Sequence, residues 1–147
     1  MADVRKSVED YLKKGKTFTL ALIAEGGKPS ADTVVYVSDG LRLYFVTDNR
    51  TRKAKNIGKG AAAAVTVDEY TDDWSKIQGL QMEGKVAPLN DEARTKEVFQ
   101  LFGRKFPQVQ KVMPQVPPTY QFYEFSPKRV WFIDYTRGFG HRDYFEV

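Results

Sequence analysis

The densest group of cationic side chains follows the β-branched and aromatic run LRLYFVT. It lies in the segment NRTRKAK and consists of Arg50, Arg52, Lys53 and Lys55. Thr51 is the predicted N-cap of a short helix whose first turn contains Arg52 and Lys53, where the helix dipole disfavours cations. A bound phosphate would resolve this conflict, because first-turn N–H groups, a guanidinium and an ammonium all attract an anion. The residues therefore predict a phosphate site, with a basic surface turn that binds nothing as the alternative.

Few other side chains could react. The 147-residue chain contains no cysteine and one histidine, His141. A disulfide, a thiolate zinc site, an iron–sulfur cluster, a cysteine nucleophile and a multi-histidine metal centre are therefore excluded. His141 has no evident catalytic partner and no nucleophile-elbow motif accompanies it, so we assign it no catalytic step. Any redox or group-transfer chemistry is expected to come from a cofactor.

The net charge is small and positive, because 23 Lys and Arg residues against 19 Asp and Glu residues leave +4. A basic chain suggests an anionic partner, with a solvated surface rich in lysine as the alternative. The four cations of NRTRKAK equal the whole excess of positive charge, which favours one phosphate pocket over an extended polyanion-binding surface.

No apolar run approaches the roughly 18 residues that span a bilayer, and the first residues lack an apolar signal region. We therefore expect a cytoplasmic protein without membrane contact.

The N-terminal half predicts one helix and then strands. Val4, Val8, Tyr11 and Leu12 share one face of a helix that ends at Gly15. The runs TFTLALIA, SADTVVYVS and LRLYFVT follow, separated by Gly-Gly and Asp-Gly pairs that are typical of type I′ hairpin turns. These runs predict a three-stranded antiparallel meander.

The C-terminal half predicts more strands and a second helix. AAAAVTVDEY and SKIQGLQMEGKVAPL are each expected to form a strand, the latter with bulges at Gly79 and Gly84. Asn90 is the predicted cap of a helix that Pro107 ends; its apolar stripe is Val98, Phe99, Leu101, Phe102 and Phe106. Two or three strands in TYQFYEFS, RVWFIDY and GHRDYFEV complete the chain. This pattern predicts one mainly β domain with peripheral helices, folded as a small barrel of six or more antiparallel strands.

The segment from Lys28 to Lys55 resembles the pyridoxamine 5′-phosphate oxidase-like family of FMN-binding split barrels. The shared pattern is Lys-Pro, a strand, an Asp-Gly turn, and a strand that ends in aromatic-x-Thr before Thr-Arg-Lys. MEGKVAPL, VWFIDY and GHR extend the resemblance over most of the chain. It implies a six- to eight-stranded antiparallel split β-barrel, a single domain over residues 1–147, that binds FMN at the interface of a homodimer.

The resemblance also implies roles for individual residues. Thr47 and Thr51 would hydrogen-bond the phosphate and ribityl region of FMN, while Arg52 and Lys53 would neutralise the phosphate. Gln78 would contact the flavin. The isoalloxazine ring would be lined, partly through backbone groups, by Thr33, Val34, Val35, Tyr36 and Val46. His141 and Arg142 match the His-Arg that the oxidases place near the substrate.

Two departures from the family pattern argue against the oxidase activity itself. Asp32 and Val37 stand where the family often has an Arg and the authentic oxidase a Lys. Arg142 is followed by Asp-Tyr-Phe, without the second Arg of the oxidases' closing motif. We therefore expect an FMN-dependent oxidoreductase that passes electrons or hydride to or from a different small substrate. The alternative is a flavin-, haem- or deazaflavin-binding protein without turnover.

Aromatic residues suggest a further alternative. Residues 137–140, Arg-Gly-Phe-Gly, and then Tyr144 match five of the eight positions of an RNA-recognition consensus. That consensus belongs to an internal strand, whereas three residues follow Tyr144 here. Trp74 and Trp131 could stack on a flavin, although large aromatic residues in β-rich sequence are more often core residues. Binding of nucleic acid is therefore the less favoured function.

Overall fold

The computed structural model describes residues 2–147, which open with an amphipathic helix. Helix α1 (Ala2–Lys14) turns Val4, Val8 and Leu12 into the core, as their spacing predicts. It ends where the N–H of Gly15 donates to the carbonyl oxygen of Tyr11 at 3.1 Å. No helix within residues 2–147 is long and apolar enough to cross a membrane.

Eight antiparallel strands form one curled sheet. They are β1 (Thr17–Ile23), β2 (Pro29–Val35), β3 (Val37–Asp39), β4 (Arg42–Asp48), β5 (Ala61–Asp68), β6 (Gln78–Pro88), β7 (Tyr120–Asp134) and β8 (Arg142–Glu146). Their spatial order is β2-β1-β5-β6-β7-β4-β3, with β8 paired to β7. The other α-helices within residues 2–147 are α2 (Arg52–Ile57), α3 (Glu92–Lys105) and α4 (Val109–Val112). The prediction of a mainly β, antiparallel barrel of six to eight strands with peripheral helices is confirmed.

The predicted three-stranded meander is wrong, because the run SADTVVYVS divides at Tyr36. Strand β2 pairs with β1, whereas β3 pairs with β4 at the other end of the sheet order. The Tyr36 ring is fully buried, and its hydroxyl donates to the carbonyl oxygen of Leu12 at 2.7 Å. Tyr36 and Val37 are both buried, so the inside–outside alternation breaks between them. The chain crosses from one sheet edge to the other at this point.

Strand β6 carries the predicted bulge at Gly84. The pairing with β7 shifts register between Glu83 and Gly84. A Cβ on Gly84 would collide with the carbonyl oxygen of Ser126 and lie 2.8 Å from Cα of Pro127. Glycine is therefore required here by the close approach of β7.

Two other strand predictions need correction. Gly79 pairs regularly with Asp68 on β5 and Ile133 on β7, so the predicted bulge at this residue is wrong. The runs TYQFYEFS and RVWFIDY form one strand, β7, because the chain continues through Pro127 without leaving the sheet. Strands β7 and β8 thus complete the sheet.

Two clusters of buried apolar side chains pack the helices against the sheet. The larger lies inside the curled sheet and includes Phe18, Leu20 and Phe45 together with the buried face of α1. The second packs α3 against the sheet and contains Val37, Tyr44, Val98, Phe102, Phe106 and Phe122. Helix α3 is capped by Asp91 rather than by Asn90, because the Asp91 carboxylate accepts from the Arg94 N–H at 3.2 Å.

The two tryptophans lie in different environments. Trp131 is half-buried on β7, and its ring centroid is 5.1 Å from that of Tyr144. Trp74 is 63% exposed in the loop before β6, so the expectation that it is a core residue is wrong.

Candidate functional site

The predicted phosphate-binding residues lie where β4 passes into α2. Thr51 caps the helix, as predicted: its hydroxyl oxygen accepts from the Ala54 N–H at 3.3 Å. The same hydroxyl donates to the carbonyl oxygen of Asp48 at 2.9 Å. Arg52 and Lys53 begin the helix. The Thr51 hydroxyl thus uses its proton and one lone pair within the turn.

Lys53 reaches back from α2 to the end of β4. Its Nζ lies 3.4 Å from Oγ1 of Thr47, a strand residue that is only 8% exposed. An ammonium group has three N–H donors. Within the described residues, two donors of Lys53 therefore stay uncommitted beside a buried hydroxyl, an arrangement that fits an incoming phosphate oxygen.

Arg50 is paired within the turn. Its Nε and NH2 donate to the Asp48 carboxylate at 2.9 and 2.6 Å. This hydrogen bonding from Arg50 holds the pKa of Asp48 well below its ordinary range. The charge of Arg50 is thus cancelled locally, and Arg52 and Lys53 are the cations of the turn that remain for a ligand.

Strand β2 brings an acidic residue to the same place. Oδ1 of Asp32 lies 3.6 Å from NH2 of Arg52. The Arg52 side chain is 70% exposed, whereas that of Asp32 is 22% exposed. The sequence departure at Asp32 therefore faces one of the two cations of the site.

The residues predicted to line the isoalloxazine ring differ in which of their groups a ligand could reach. Thr33 and Val35 are exposed on the outer face of β2, while Val34 packs against the inner cluster. The Tyr36 side chain is committed to the core, so only its backbone could meet a ligand. Val46 packs against the second cluster. Among residues 2–147, β3 pairs with β4 only as far as Tyr44, which leaves the backbone edge beside Val46 without a strand partner.

Gln78, His141 and Arg142 lie elsewhere on the sheet. Gln78 begins β6, and its Nε2 donates to Oδ1 of Asp134 at 3.2 Å. Nε2 of His141 lies 3.0 Å from Oδ2 of Asp143. In the described part of the chain, no hydrogen bond or ion pair joins these three residues to Arg52 or Lys53. The hydrogen bonds and the ion pair thus bring together Thr47, Thr51, Arg52 and Lys53, with β2 alongside through Asp32.

Sequence reasoning missed two ionisable groups. Asp143 contacts His141, which directly precedes β8, and the signal was the His-x-Asp spacing, because alternate residues of an extended segment share a face. Lys105 ends α3 with its Nζ buried, 4.3 Å from the centroid of the Tyr36 ring and without a hydrogen-bond partner among residues 2–147. Burial, and secondarily the charge of Lys16, lowers the pKa of Lys105 to about 8.

Solved structures define the class of fold. ChuZ from Campylobacter jejuni superposes with a TM-score of 0.81 at 14% identity, over 99% of this chain and 60% of that chain. HutZ, the heme storage protein from Vibrio cholerae, gives a TM-score of 0.70 at 13% identity, over 84% of this chain and 89% of that chain. At these identities the superpositions show the fold alone, which is the split barrel that the sequence predicts.

Sequence comparison defines the family. Residues 4–134 match the family model described as pyridoxamine 5′-phosphate oxidase. The chain therefore belongs to the pyridoxamine 5′-phosphate oxidase family. It is also similar to the UPF0306 protein YhbP of Salmonella paratyphi C (strain RKS4594), with 27% identity over 141 residues, 95% of this chain and 91% of the relative.

Proposed function

We propose that this chain binds FMN through its phosphate and is an FMN-dependent oxidoreductase acting on a small substrate. The observation that carries the proposal is the contact between Lys53 and Thr47, with Arg52 beside it at the start of α2. An ammonium and a guanidinium next to a hydroxyl are well suited to the anionic oxygens of a phosphate group. Thr51 supports the site by fixing the turn that carries both cations.

The flavin ring would lie between β2 and the free edge of β4. The exposed side chains of Thr33 and Val35 and the open backbone beside Val46 support this placement, and Val34 and Tyr36 would contribute backbone groups. Gln78 remains a proposed flavin contact, although its amide already donates to Asp134. FMN, when bound, supplies electron or hydride transfer, while the protein supplies binding and orientation.

The outer face of the sheet supports a homodimer. It presents Ile23 and Val35, which are 67% and 48% exposed, next to the small exposed residues Ala62 and Ala64 on β5. Exposed apolar residues of this kind can bury area against a second copy. In such a dimer His141 and Arg142 would approach the substrate, with Asp143 orienting the imidazole of His141. Sedimentation of the purified protein measures the assembly directly.

FMN binding is tested by fluorescence quenching. FMN at fixed concentration is titrated with the wild-type protein, with Lys53→Ala and with the control Lys55→Ala, which removes an exposed lysine from the same helix. We expect Lys53→Ala to weaken binding about tenfold, since a hydrogen bond to a charged group contributes about 1.5–3 kcal/mol, and Lys55→Ala to stay within about twofold. Absence of quenching by the wild type, or equal effects of the two substitutions, would contradict the proposal.

Haem binding is the second candidate function. HutZ, a heme storage protein, shares the fold, and His141 is half-buried with an acidic partner, Asp143, that can orient a ligating imidazole. Titration with hemin should then produce a sharp Soret band that is lost in His141→Ala. If the band is absent, or survives in His141→Ala, this candidate is excluded in its histidine-ligated form.

A further inference from the structure

Asp32 is the acidic residue that faces Arg52, one of the two cations of the proposed phosphate site. It lies on β2, an edge strand, with Oδ1 3.6 Å from NH2 of Arg52. Its second oxygen, Oδ2, is buried and accepts no hydrogen bond within residues 2–147. The carboxylate is therefore balanced by one long ion pair to Arg52 and has no second donor to hold it.

Arg52 can exchange this partner for another anion. The guanidinium is on a largely exposed side chain, and ion pairs of exposed side chains contribute little to stability. Lys53, the next residue, holds its ammonium at Thr47. A phosphate bound between Lys53 and Arg52 would compete with Asp32 for the same guanidinium.

The local charges do not match a doubly charged phosphate. Arg50 and Asp48 neutralise each other in the turn, and Lys55 is exposed two residues beyond Lys53 on α2, so the charged groups with contacts at the site are Arg52 and Lys53 against Asp32. One positive charge remains. A phosphate monoester carries about −1.5 to −2 at pH 7, whereas a phosphodiester or a carboxylate carries −1 and is balanced by this set.

We propose that Asp32 is a counter-ion that the ligand's anionic group must displace from Arg52, and that Asp32 thereby shifts the preference of the site toward singly charged anions. The inference rests on the proposed function, because it concerns the same site. It identifies Asp32 as a residue that determines ligand specificity. Removal of its charge should strengthen the binding of a doubly charged phosphate more than that of a singly charged or uncharged ligand.

The first test compares FMN with riboflavin, which lacks the phosphate. Asp32→Asn keeps the side-chain shape, and Glu25→Gln, on the loop between β1 and β2, is the matched control for loss of one exposed negative charge. We expect Asp32→Asn to tighten FMN binding about fivefold, as removal of a unit charge from a partly exposed site should, and to leave riboflavin and Glu25→Gln within about twofold. In an Arg52→Ala background the gain should disappear. Equal effects on both flavins, or of both substitutions, would overturn the inference.

The second test does not depend on flavin. The amide signals of Arg52 and Lys53 are followed by NMR during titration with inorganic phosphate and with dimethyl phosphate, a singly charged diester. We expect Asp32→Asn to raise the affinity ratio of inorganic phosphate to dimethyl phosphate about fivefold. If FMN fails to bind while this ratio rises, the proposed function fails and the role of Asp32 stands. If the ratio is unchanged, or if no anion shifts these amides in any variant, the role of Asp32 is refuted.

Discussion

The ammonium of Lys53 lies 3.4 Å from the hydroxyl of Thr47, across the turn that joins β4 to α2. Asp48 organises that turn: its carboxylate accepts from the backbone N–H of Arg50 at 2.9 Å, and its carbonyl oxygen accepts from the Thr51 hydroxyl. The two side chains that would meet a phosphate are thus brought together by the protein's own hydrogen bonds. A preformed arrangement of this kind reduces the ordering that a ligand must impose.

Replacement of Thr47 by Val tests the hydroxyl of this pair. Val has nearly the same shape, so the nearly buried position stays filled, while the hydrogen bond to the ammonium and to a ligand oxygen is lost. We expect FMN binding to weaken about tenfold, which corresponds to the lower end of the contribution of a hydrogen bond to a charged group. The melting temperature should change little. A variant that binds FMN like the wild type would show that the Thr47 hydroxyl does not contact the ligand.

Substitution of Gly84 by Ala tests the close approach of β6 and β7. The new Cβ would meet the backbone at Ser126 and Pro127, which cannot rotate away as a side chain could. We expect a loss of about 1–3 kcal/mol in the free energy of unfolding, the range for overpacking. Gly103→Ala in α3 is the control, because a Cβ there meets nothing within 4 Å, and it should gain about 0.5–1 kcal/mol from helix propensity. Urea denaturation measures the free energy of unfolding of both variants, and equal values would contradict the close contact at Gly84.

Loss of the Tyr36 hydroxyl should destabilise the fold. That hydroxyl donates to the carbonyl oxygen of Leu12 at 2.7 Å in a buried position and ties α1 to the junction of β2 and β3. Tyr36→Phe leaves the carbonyl without this donor, which should lower the free energy of unfolding by about 1–3 kcal/mol. Tyr70→Phe removes a hydroxyl from an 81% exposed side chain and should change the free energy by less than about 0.5 kcal/mol. Thermal denaturation of the two variants should separate them clearly.

Because the ammonium of Lys105 is buried, we expect the free energy of unfolding to depend on pH. Burial lowers the pKa of its ammonium from 10.5 to about 8 in the folded protein. Between these values the unfolded chain binds more protons than the folded chain, so stability should rise as pH increases from 8 toward 10. Lys105→Met, which keeps an apolar chain of similar length, should flatten that rise. Denaturation of both proteins between pH 7.5 and 9.5 measures the difference, and parallel profiles would show that Lys105 does not titrate in this range.

Local patterns were enough to predict most elements of the fold. The spacing of Val4, Val8 and Leu12 predicted α1, and the small and β-branched residues of AAAAVTVDEY predicted β5. Thr51 was predicted as the cap of α2 from its residue type and position alone. The order of the strands could not be predicted in this way, because the division of β2 from β3 at Tyr36 depends on contacts with Lys16 and Leu12, far away in the chain.

The charges of the candidate site were predicted less well than its position. The sequence placed four cations together, yet Arg50 is neutralised by Asp48 and Arg52 faces Asp32 across the gap between α2 and β2. Side-chain pairing of this kind depends on rotamers and on strands that are distant in sequence. Lys105 was missed for a related reason: a lysine at the end of a helix is usually solvated, and only the packing of α3 beside Tyr36 buries its ammonium.

The affinity of the wild-type protein for FMN relative to riboflavin is the most direct test of the central claim, since the two ligands differ only in the phosphate. Both dissociation constants can be measured by flavin fluorescence under the same conditions. A phosphate site at Thr47, Arg52 and Lys53 predicts that FMN binds at least about tenfold more tightly than riboflavin, the contribution of one or more charged hydrogen bonds, and that Lys53→Ala lowers this ratio about tenfold. Equal affinity for the two flavins in the wild type would contradict a phosphate site at Thr47, Arg52 and Lys53.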